Sequence, residues 1–455
     1  MTISTEQIER NFAEINPPLS EAEAVFEANR CLYCYDAPCT HACPTHIDVP
    51  SFIKKIASGN LTGSARVIFD ANPIGATCAR VCPVEVLCEG VCVEKTLMDK
   101  PIEIGRLQRY ATDYAMRNDK QIFQAGAANG KSVGIIGSGP AGLSCATYLA
   151  RLGYAVTIYD KKSLPGGLDT YGMAEYKMSQ AVSVKEAEQV ARLGVEFRLN
   201  TEIVSSYEAS NENAESSANG TSAGGYVSLT DLQNTHDAIF IGIGLGATNN
   251  LNIAGENLAG VYDALHFIER IKTRDWQKVP LGKTVVVIGA GNTAIDAVTQ
   301  AKRLGAERVL MVYRRTEKDI SAYEYEYELA KKDGVEFLWQ TAPVEIIGNG
   351  KVLALRCQKT DGTNQLFEFP CDMVIKAIGQ QKQIGFFRNI GVQFDEKGRV
   401  LINELMQTSN PRIFAGGDCV NGGAEAVDAS QMGKLAARGI HFSISGERVE
   451  FAGAL

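Results

Sequence analysis

Residues Ser132–Asp160, SVGIIGSGPAGLSCATYLARLGYAVTIYD, decide the architecture. An apolar strand, Ser132–Ile136, runs into the turn Gly137-Ser138-Gly139-Pro140-Ala141-Gly142. A helical stretch follows to about Leu152, then a second strand, Ala155–Tyr159, that closes on Asp160. Glycines at these spacings allow a tight turn and let a pyrophosphate approach a helix N-terminus, where backbone N–H groups and the helix dipole favour anions. An acid at the end of the second strand can accept hydrogen bonds from ribose hydroxyls. Strand, turn, helix and acid together predict a dinucleotide-binding βαβ unit in which Gly137, Gly139, Pro140, Ala141, Gly142 and Asp160 meet the ligand.

Toward the C-terminus, short Val/Ile strands alternate with helical patterns, the signature of parallel α/β sheets. A second copy of the unit begins at Thr284, with strand Thr284–Ile288, the turn Gly289-Ala290-Gly291-Asn292-Thr293-Ala294, a helix to Leu304 and strand Arg308–Tyr313. Gly289, Gly291, Asn292 and Thr293 are its candidate nucleotide contacts. The copy ends on Arg314-Arg315 instead of an acid. Guanidinium groups pair bidentately with a 2′-phosphate that an acid would repel, so the site leans to NADPH over NADH. A solvated strand edge is the competing reading of that pair. The polar stretch Ser205–Gly225 reads as a surface loop, and the apolar strands after Cys371 are expected to complete the first nucleotide domain.

Toward the N-terminus, eight of the chain's twelve cysteines fall between Cys31 and Cys92. The first group is Cys31-x2-Cys34-x4-Cys39-x3-Cys43-Pro44, and the second is Cys78-x3-Cys82-Pro83, followed by Cys88-x3-Cys92. Such spacings let successive sulfurs point into one volume, and in ferredoxin-type runs the cysteine before proline often reaches a second cluster. Eight thiolates match the eight ligand places of two 4Fe–4S clusters by count. Structural zinc is the rival, although zinc sites usually show two pairs with four ligands. His41 and His46 read as polar or packing residues. The stretches Ser51–Ala71 and Ile104–Met116 carry helical periodicity with no strand alternation, so this segment is expected to be all-α.

With 455 residues, 45% of them hydrophobic, the chain can bury two or three cores. A net charge of −8 supplies no basic field for nucleic acid. No signal peptide and no apolar run of about 18 residues is present, which points to the cytoplasm and away from the membrane. The expected fold is an α/β flavoprotein with two dinucleotide-binding domains and an N-terminal all-α iron–sulfur domain. Its expected domains are a helical domain at 1–128, the first part of the FAD domain at 129–255, an NAD(P)H domain at 256–372 and the second part of the FAD domain at 373–455.

Gly166-Gly167-Leu168 and Ile413-Phe414-Ala415-Gly416-Gly417-Asp418 resemble two further motifs of the FAD domain of flavoprotein reductases, and this assigns the first site to FAD. There Gly167, Leu168, Gly417 and Asp418 would meet the flavin nucleotide, the aspartate at its ribityl and phosphate region. Along nearly the whole chain, the cysteine ladder followed by two fingerprints resembles the electron-input half of dihydropyrimidine dehydrogenase and the related small subunit of glutamate synthase. Cys31-Leu32-Tyr33-Cys34-Tyr35-Asp36-Ala37-Pro38-Cys39, Ile104-Gly105-Arg106-Leu107-Gln108 and Phe240-Ile241-Gly242-Ile243-Gly244-Leu245 look most like the former.

The resemblance changes the ligand count. It implies Cys31, Cys34, Cys39 and Cys92 for one cluster and Cys43, Cys82, Cys88 and Gln108 for the other, leaving Cys78 spare. It places Lys177 where the family has an arginine near the flavin, and Ser321 where animal forms carry a further arginine near the nucleotide phosphate, which weakens the lean to NADPH. It implies hydride transfer from NADH or NADPH to FAD and single electrons through the clusters, with no catalytic side chain assigned. An FMN-bearing barrel of about 250 residues finds no room among these residues, so a partner chain in a hetero-oligomer is expected to carry FMN and the pyrimidine site. Delivery to a glutamate synthase large subunit, delivery to a ferredoxin-type acceptor and a non-catalytic scaffold are the alternatives. No Cys-x-x-Cys follows Ser132, which argues against a disulfide reductase.

Overall fold

The computed structural model describes residues 3–204 and 225–453, and the chain divides into two compact units. The loop expected at Ser205–Gly225 lies outside the described residues except for Gly225, which opens the strand Gly225–Ser228. One unit comprises Asn16–Thr170, Ala181–Leu245 and Lys382–Leu455; the other comprises Met1–Ile15, Tyr171–Gln180 and Gly246–Gln381.

In the larger unit, helices Glu21–Arg30, Val49–Ala57, Leu61–Ala71, Gly75–Val81, Val93–Met98 and Ile104–Arg117 hold the cysteine segments. Side-chain caps start three of them: Ser20 on Glu23 N, Asp48 on Ser51 N and Asn60 on Gly63 N. The stretch Ser51–Ala71 is broken in two at Ser58–Asn60, where Gly59 adopts a φ of 74°. Leu19, Phe52, Ile53, Ile68, Leu107 and Ala111 form the buried centre, with Cys31, Cys39, Cys43 and Cys88 packed against it.

Beside these helices stands a five-stranded parallel sheet, in the order Ile413–Ala415, Ala238–Ile241, Ser132–Ile136, Ala155–Tyr159, Glu196–Arg198. Apart from the edge strand Glu196–Arg198, its strands are near-continuous apolar runs because both faces are covered. Helix Ala426–Ser445 lies close against helix Pro140–Arg151. A Cβ on Gly433 would stand 2.1 Å from Ala141 O, so only glycine allows that approach.

Glu186, on helix Gln180–Ala191, ties the sheet to the cysteine helices. Its Oε1 accepts the N–H groups of Ala76 (2.7 Å) and Thr77 (3.2 Å), and the Thr77 hydroxyl donates to Oε2. Burial pushes its carboxyl up to about 7, against hydrogen bonds from Thr77 and Ala76 that pull it down. A folded pKa above the unfolded value of 4.5 means that stability is fully present below pH 4.5 and is lost as pH rises through about 7, a change on the order of 3 kcal/mol. Urea unfolding at pH 5 and pH 8 should therefore show a fall in stability that is smaller in Glu186→Gln. Equal falls in the two proteins would mean that Glu186 stays ionised throughout.

The second unit carries another five-stranded parallel sheet, ordered Glu336–Leu338, Arg308–Val312, Thr284–Ile288, Met373–Lys376, Val261–Asp263. Three antiparallel strands, Thr341–Gly348, Val352–Lys359 and Leu366–Pro370, form a separate sheet in this unit. Met373–Lys376 thus differs from expectation: it pairs with Thr284–Ile288 in this sheet, and the return to the first sheet comes only at Ile413–Ala415. The N-terminal helix Thr5–Asn11 also belongs to this unit. Phe12 stacks on Trp276 at 5.0 Å, and Trp276 Nε1 donates to Glu9 at 2.7 Å.

Candidate cofactor sites

At the carboxyl ends of the first sheet's strands, three glycine-bearing turns meet. Gly137 has a φ of 98°, and a Cβ there would stand 2.4 Å from Gly242 O; one on Gly142 would stand 2.0 Å from Gly137 O. These contacts fold the loop tightly enough for Gly139 to cap helix Pro140–Arg151, whose proline at the first position suits the fixed φ needed there. A Cβ on Gly139 would meet only Gly167 Cα, at 3.9 Å, which leaves a cradle open for a phosphate. Gly167, with φ 58°, folds its turn against Gly139, and Leu168 follows it on the surface.

Asp160 Oδ2 accepts the Ser138 N–H (2.8 Å) and hydroxyl (2.5 Å), so the terminal acid also braces the loop it faces. Gly417 (φ 77°) lies with its Cβ position 3.2 Å from Ala141 Cβ, and Asp418 follows it. Burial raises the Asp418 carboxyl above its ordinary range, while the Ala424 N–H, at 3.3 Å, pulls it down. Gly137, Gly139, Pro140, Ala141, Gly142, Asp160, Gly167 and Gly417-Asp418 are thereby brought together, and the open cradle suits a dinucleotide.

The second glycine loop is built alike. A Cβ on Gly289 (φ 132°) would stand 2.1 Å from Ala377 O, and Gly291 caps helix Asn292–Arg303. Asn292 Oδ1 accepts Tyr323 N at 3.2 Å, and Ser321 N donates to Ala290 O at 3.2 Å, so the segment at Ser321 lies over the loop. Thr293 is in the helix's first turn. Arg314 and Arg315 are exposed; their carbonyls are held by Thr360 (2.6 Å) and Gln340 (2.9 Å), and no ion pair engages their guanidinium groups among the described residues.

Lys177 sits in the same unit, buried. Its Nζ meets Asp296 at 2.7 Å and Glu326 at 2.6 Å, and Tyr176 donates its hydroxyl to Asp296 at 2.8 Å. Burial pulls the ammonium's pKa down, but Asp296 and Glu326 carry it above the ordinary lysine value. The charge that the family resemblance directs at a flavin is therefore engaged by two carboxylates on neighbouring helical segments.

Cys31, Cys34, Cys39 and Cys92 line one pocket, together with Leu32, Val93 and Ile104. Among the described residues, no three His, Cys, Asp or Glu side chains converge on a point suited to a single ion; these sulfurs stand around a volume. Burial pushes the Cys31 thiol up and the Cys39 thiol to about 12, so their thiolates form readily only against a bound cation such as iron.

Cys43, Cys82 and Cys88 neighbour one another, and Cys78 shares a hydrogen bond with Cys82. Cys78 Sγ also accepts Asn72 Nδ2 at 3.1 Å. Gln108 is buried with Nε2 on Gly75 O at 2.7 Å. His41 pairs with Asp36 at 2.6 Å on the surface. Cys145, Cys357, Cys371 and Cys419 are buried free thiols.

A model of the pyridine nucleotide-disulphide oxidoreductase family matches residues 131–433, and one described as dihydropyrimidine dehydrogenase domain II, 4Fe–4S cluster, matches residues 8–120. The chain belongs to the pyridine nucleotide-disulphide oxidoreductase family. The oxidoreductase is 35% identical to the NADPH glutamate synthase small chain of Escherichia coli strain K12, covering 94% of this chain and 93% of that one. It is 33% identical to the NAD-dependent dihydropyrimidine dehydrogenase subunit PreT of Salmonella typhimurium, covering 94% and 96%. The fold is that of T. acidophilum thioredoxin reductase, at a TM-score of 0.54 and 23% identity, over 69% of this chain and all of that one. FAD, NAD(P)H and 4Fe–4S iron–sulfur are the cofactors of this oxidoreductase, an electron-transfer flavoprotein. No helix among the described residues is long and apolar enough to cross a membrane.

Sequence reading passed over Asn72, Glu186, Asp296, Glu326 and Lys434. Only Lys434 left a signal, as a lone charge on the small-residue face of helix Ala426–Ser445.

Proposed function

We propose that this oxidoreductase is the electron-input subunit of a two-subunit dihydropyrimidine dehydrogenase, taking reducing equivalents from NAD(P)H and delivering them to an FMN-containing partner that reduces uracil or thymine. The observation that carries the reading is a four-cysteine pocket on a chain that also holds two nucleotide cradles. When bound, FAD accepts a hydride's two electrons and releases them singly, and the clusters carry single electrons. The chain's own residues bind, orient and insulate these groups. Cys31, Cys34, Cys39 and Cys92 hold one cluster; Cys43, Cys82, Cys88 and Gln108 hold the other. The first glycine loop with Asp160, Gly167 and Asp418 seats FAD, and the second, with Arg314 and Arg315, seats the nicotinamide nucleotide.

The 35% identity to a glutamate synthase small chain favours a second reading, in which the same electrons reach a glutamine-dependent large subunit. Anaerobic turnover of uracil and of 2-oxoglutarate with glutamine, each with the corresponding partner, separates the two. Uracil reduction that requires both chains is the expected result; glutamate formation alone would move the assignment. In the same assay, Arg314→Ala/Arg315→Ala should raise KM for NADPH at least tenfold, as loss of charge-assisted contacts worth about 1.5–3 kcal/mol requires, and leave NADH nearly unchanged. Equal effects on both nucleotides would remove the 2′-phosphate role.

A further inference from the structure

Helix Ala426–Ser445 buries Lys434, 2% exposed, among alanines and glycines. Its Nζ donates to three carbonyls from three separate segments: Thr45 at 3.0 Å, Ala71 at 2.9 Å and Ala452 at 3.2 Å. Among the described residues no carboxylate lies within ion-pair distance of it. Burial lowers its pKa to about 8, and the charges that oppose this are Cys43 first and Asp70 second.

The three carbonyls place the ammonium beside the cysteines. Thr45 is two residues past Cys43, and its hydroxyl lies 3.4 Å from Cys43 Sγ. Ala71 precedes Asn72, which donates to Cys78 Sγ at 3.1 Å. One helical turn before Lys434, Ser430 donates to Asn72 Oδ1 at 2.8 Å, so a single helix face meets both cysteine segments. That same helix touches the first glycine loop's helix, where Ser144 donates to Ser430 O at 2.7 Å.

A buried lysine without a counter-ion is costly, and carbonyl dipoles compensate it only in part. A cluster held by thiolates would supply the missing negative charge, and its reduction would add one electron to it. In a poorly screened interior a cation close by stabilises the reduced cluster more than the oxidised one. We propose that Lys434 is a fixed positive charge that raises the reduction potential of the iron–sulfur cluster bound through Cys43. This rests on the reading of Cys43 as a ligand.

The test is an anaerobic redox titration of the iron- and FAD-loaded full chain, followed by electron paramagnetic resonance, for wild type, Lys434→Met, Lys434→Gln and Lys434→Arg. The Cys43 cluster is identified as the signal lost in Cys43→Ser. Its potential should fall by 59 mV or more in both neutral variants, a tenfold change in a one-electron equilibrium, with the other cluster and FAD unmoved. Glutamine can still donate to two of the carbonyls, so a shift in the methionine variant alone would mean a packing role and overturn the proposal. Unmoved potentials in neutral variants with full FAD content would also overturn it. Arginine, keeping the charge, should retain the wild-type potential. Should Cys43→Ser lose no signal, the ligand assignment fails instead, and that outcome is distinct from the other two.

Discussion

Lys177→Met is expected to destabilise the protein by about 3–5 kcal/mol, the range for removing one partner of a buried ion pair. Lys177 is the cation between Asp296 and Glu326, all three of them buried. Without it, two carboxylates remain in an interior where, among the described residues, the hydroxyls of Tyr176 and Tyr325 are their side-chain donors, at 2.8 and 3.0 Å. Burial already raises the Glu326 carboxyl, and Lys177 is the main group holding it down. In the variant that restraint is gone, so the folded pKa rises further above the unfolded one. A raised folded pKa contributes stability that is present at low pH and lost as pH rises through it. The deficit of Lys177→Met should therefore be largest at pH 8 and shrink toward pH 5, and Glu326→Gln in the same chain should recover part of it. Urea denaturation followed by the fluorescence of Trp276 and Trp339 measures this. A variant as stable as wild type at pH 8 would mean that the pair contributes nothing net. Lys177→Arg keeps the charge but must fit a planar fork into a site shaped for an ammonium, and should fall between the two.

Both nucleotide loops were legible because strand, turn and helix are contiguous in each, and the turn glycines stand at positions where a Cβ would collide with backbone. The cysteine segments were legible for the same local reason. What escaped the sequence was pairing across distance. Met373–Lys376 is an apolar run like any buried parallel strand, and nothing in four residues states which of two similar sheets it joins. The helix Thr5–Asn11 precedes the cysteines in the chain, yet Phe12 finds its partner in Trp276. Asp160 was readable as a terminal acid, whereas its hold on Ser138 was not. The hydrogen bond from Ser430 to Asn72 links residues 358 positions apart, and Lys434 reaches Thr45 across 389. No periodicity encodes such contacts. They arise when helix Ala426–Ser445 folds back onto the cysteine helices.

Gln108→Ala should lose one of the two clusters, while Cys78→Ala should keep both. Iron per chain is expected to fall from about eight to about four in the first variant and to stay near eight in the second, with FAD retained in both. Spacing alone favours the opposite, since Cys78 completes a set of eight thiols. The surroundings of the two side chains differ, however. Cys78 Sγ is an acceptor for Asn72 Nδ2, and Asn72 is in turn held by Ser430, so the sulfur belongs to a packed polar network. Gln108 has its Nε2 committed to Gly75 O at 2.7 Å, which turns Oε1, the atom able to bind iron, away from that carbonyl. A neutral oxygen in place of a fourth thiolate also leaves the cluster one charge less negative and so easier to reduce. Gln108→Cys should accordingly retain the iron and lower the potential of that cluster. Halved iron in Cys78→Ala, with Gln108→Ala unaffected, would return the eighth place to Cys78 and make Gln108 a packing residue of helix Ile104–Arg117.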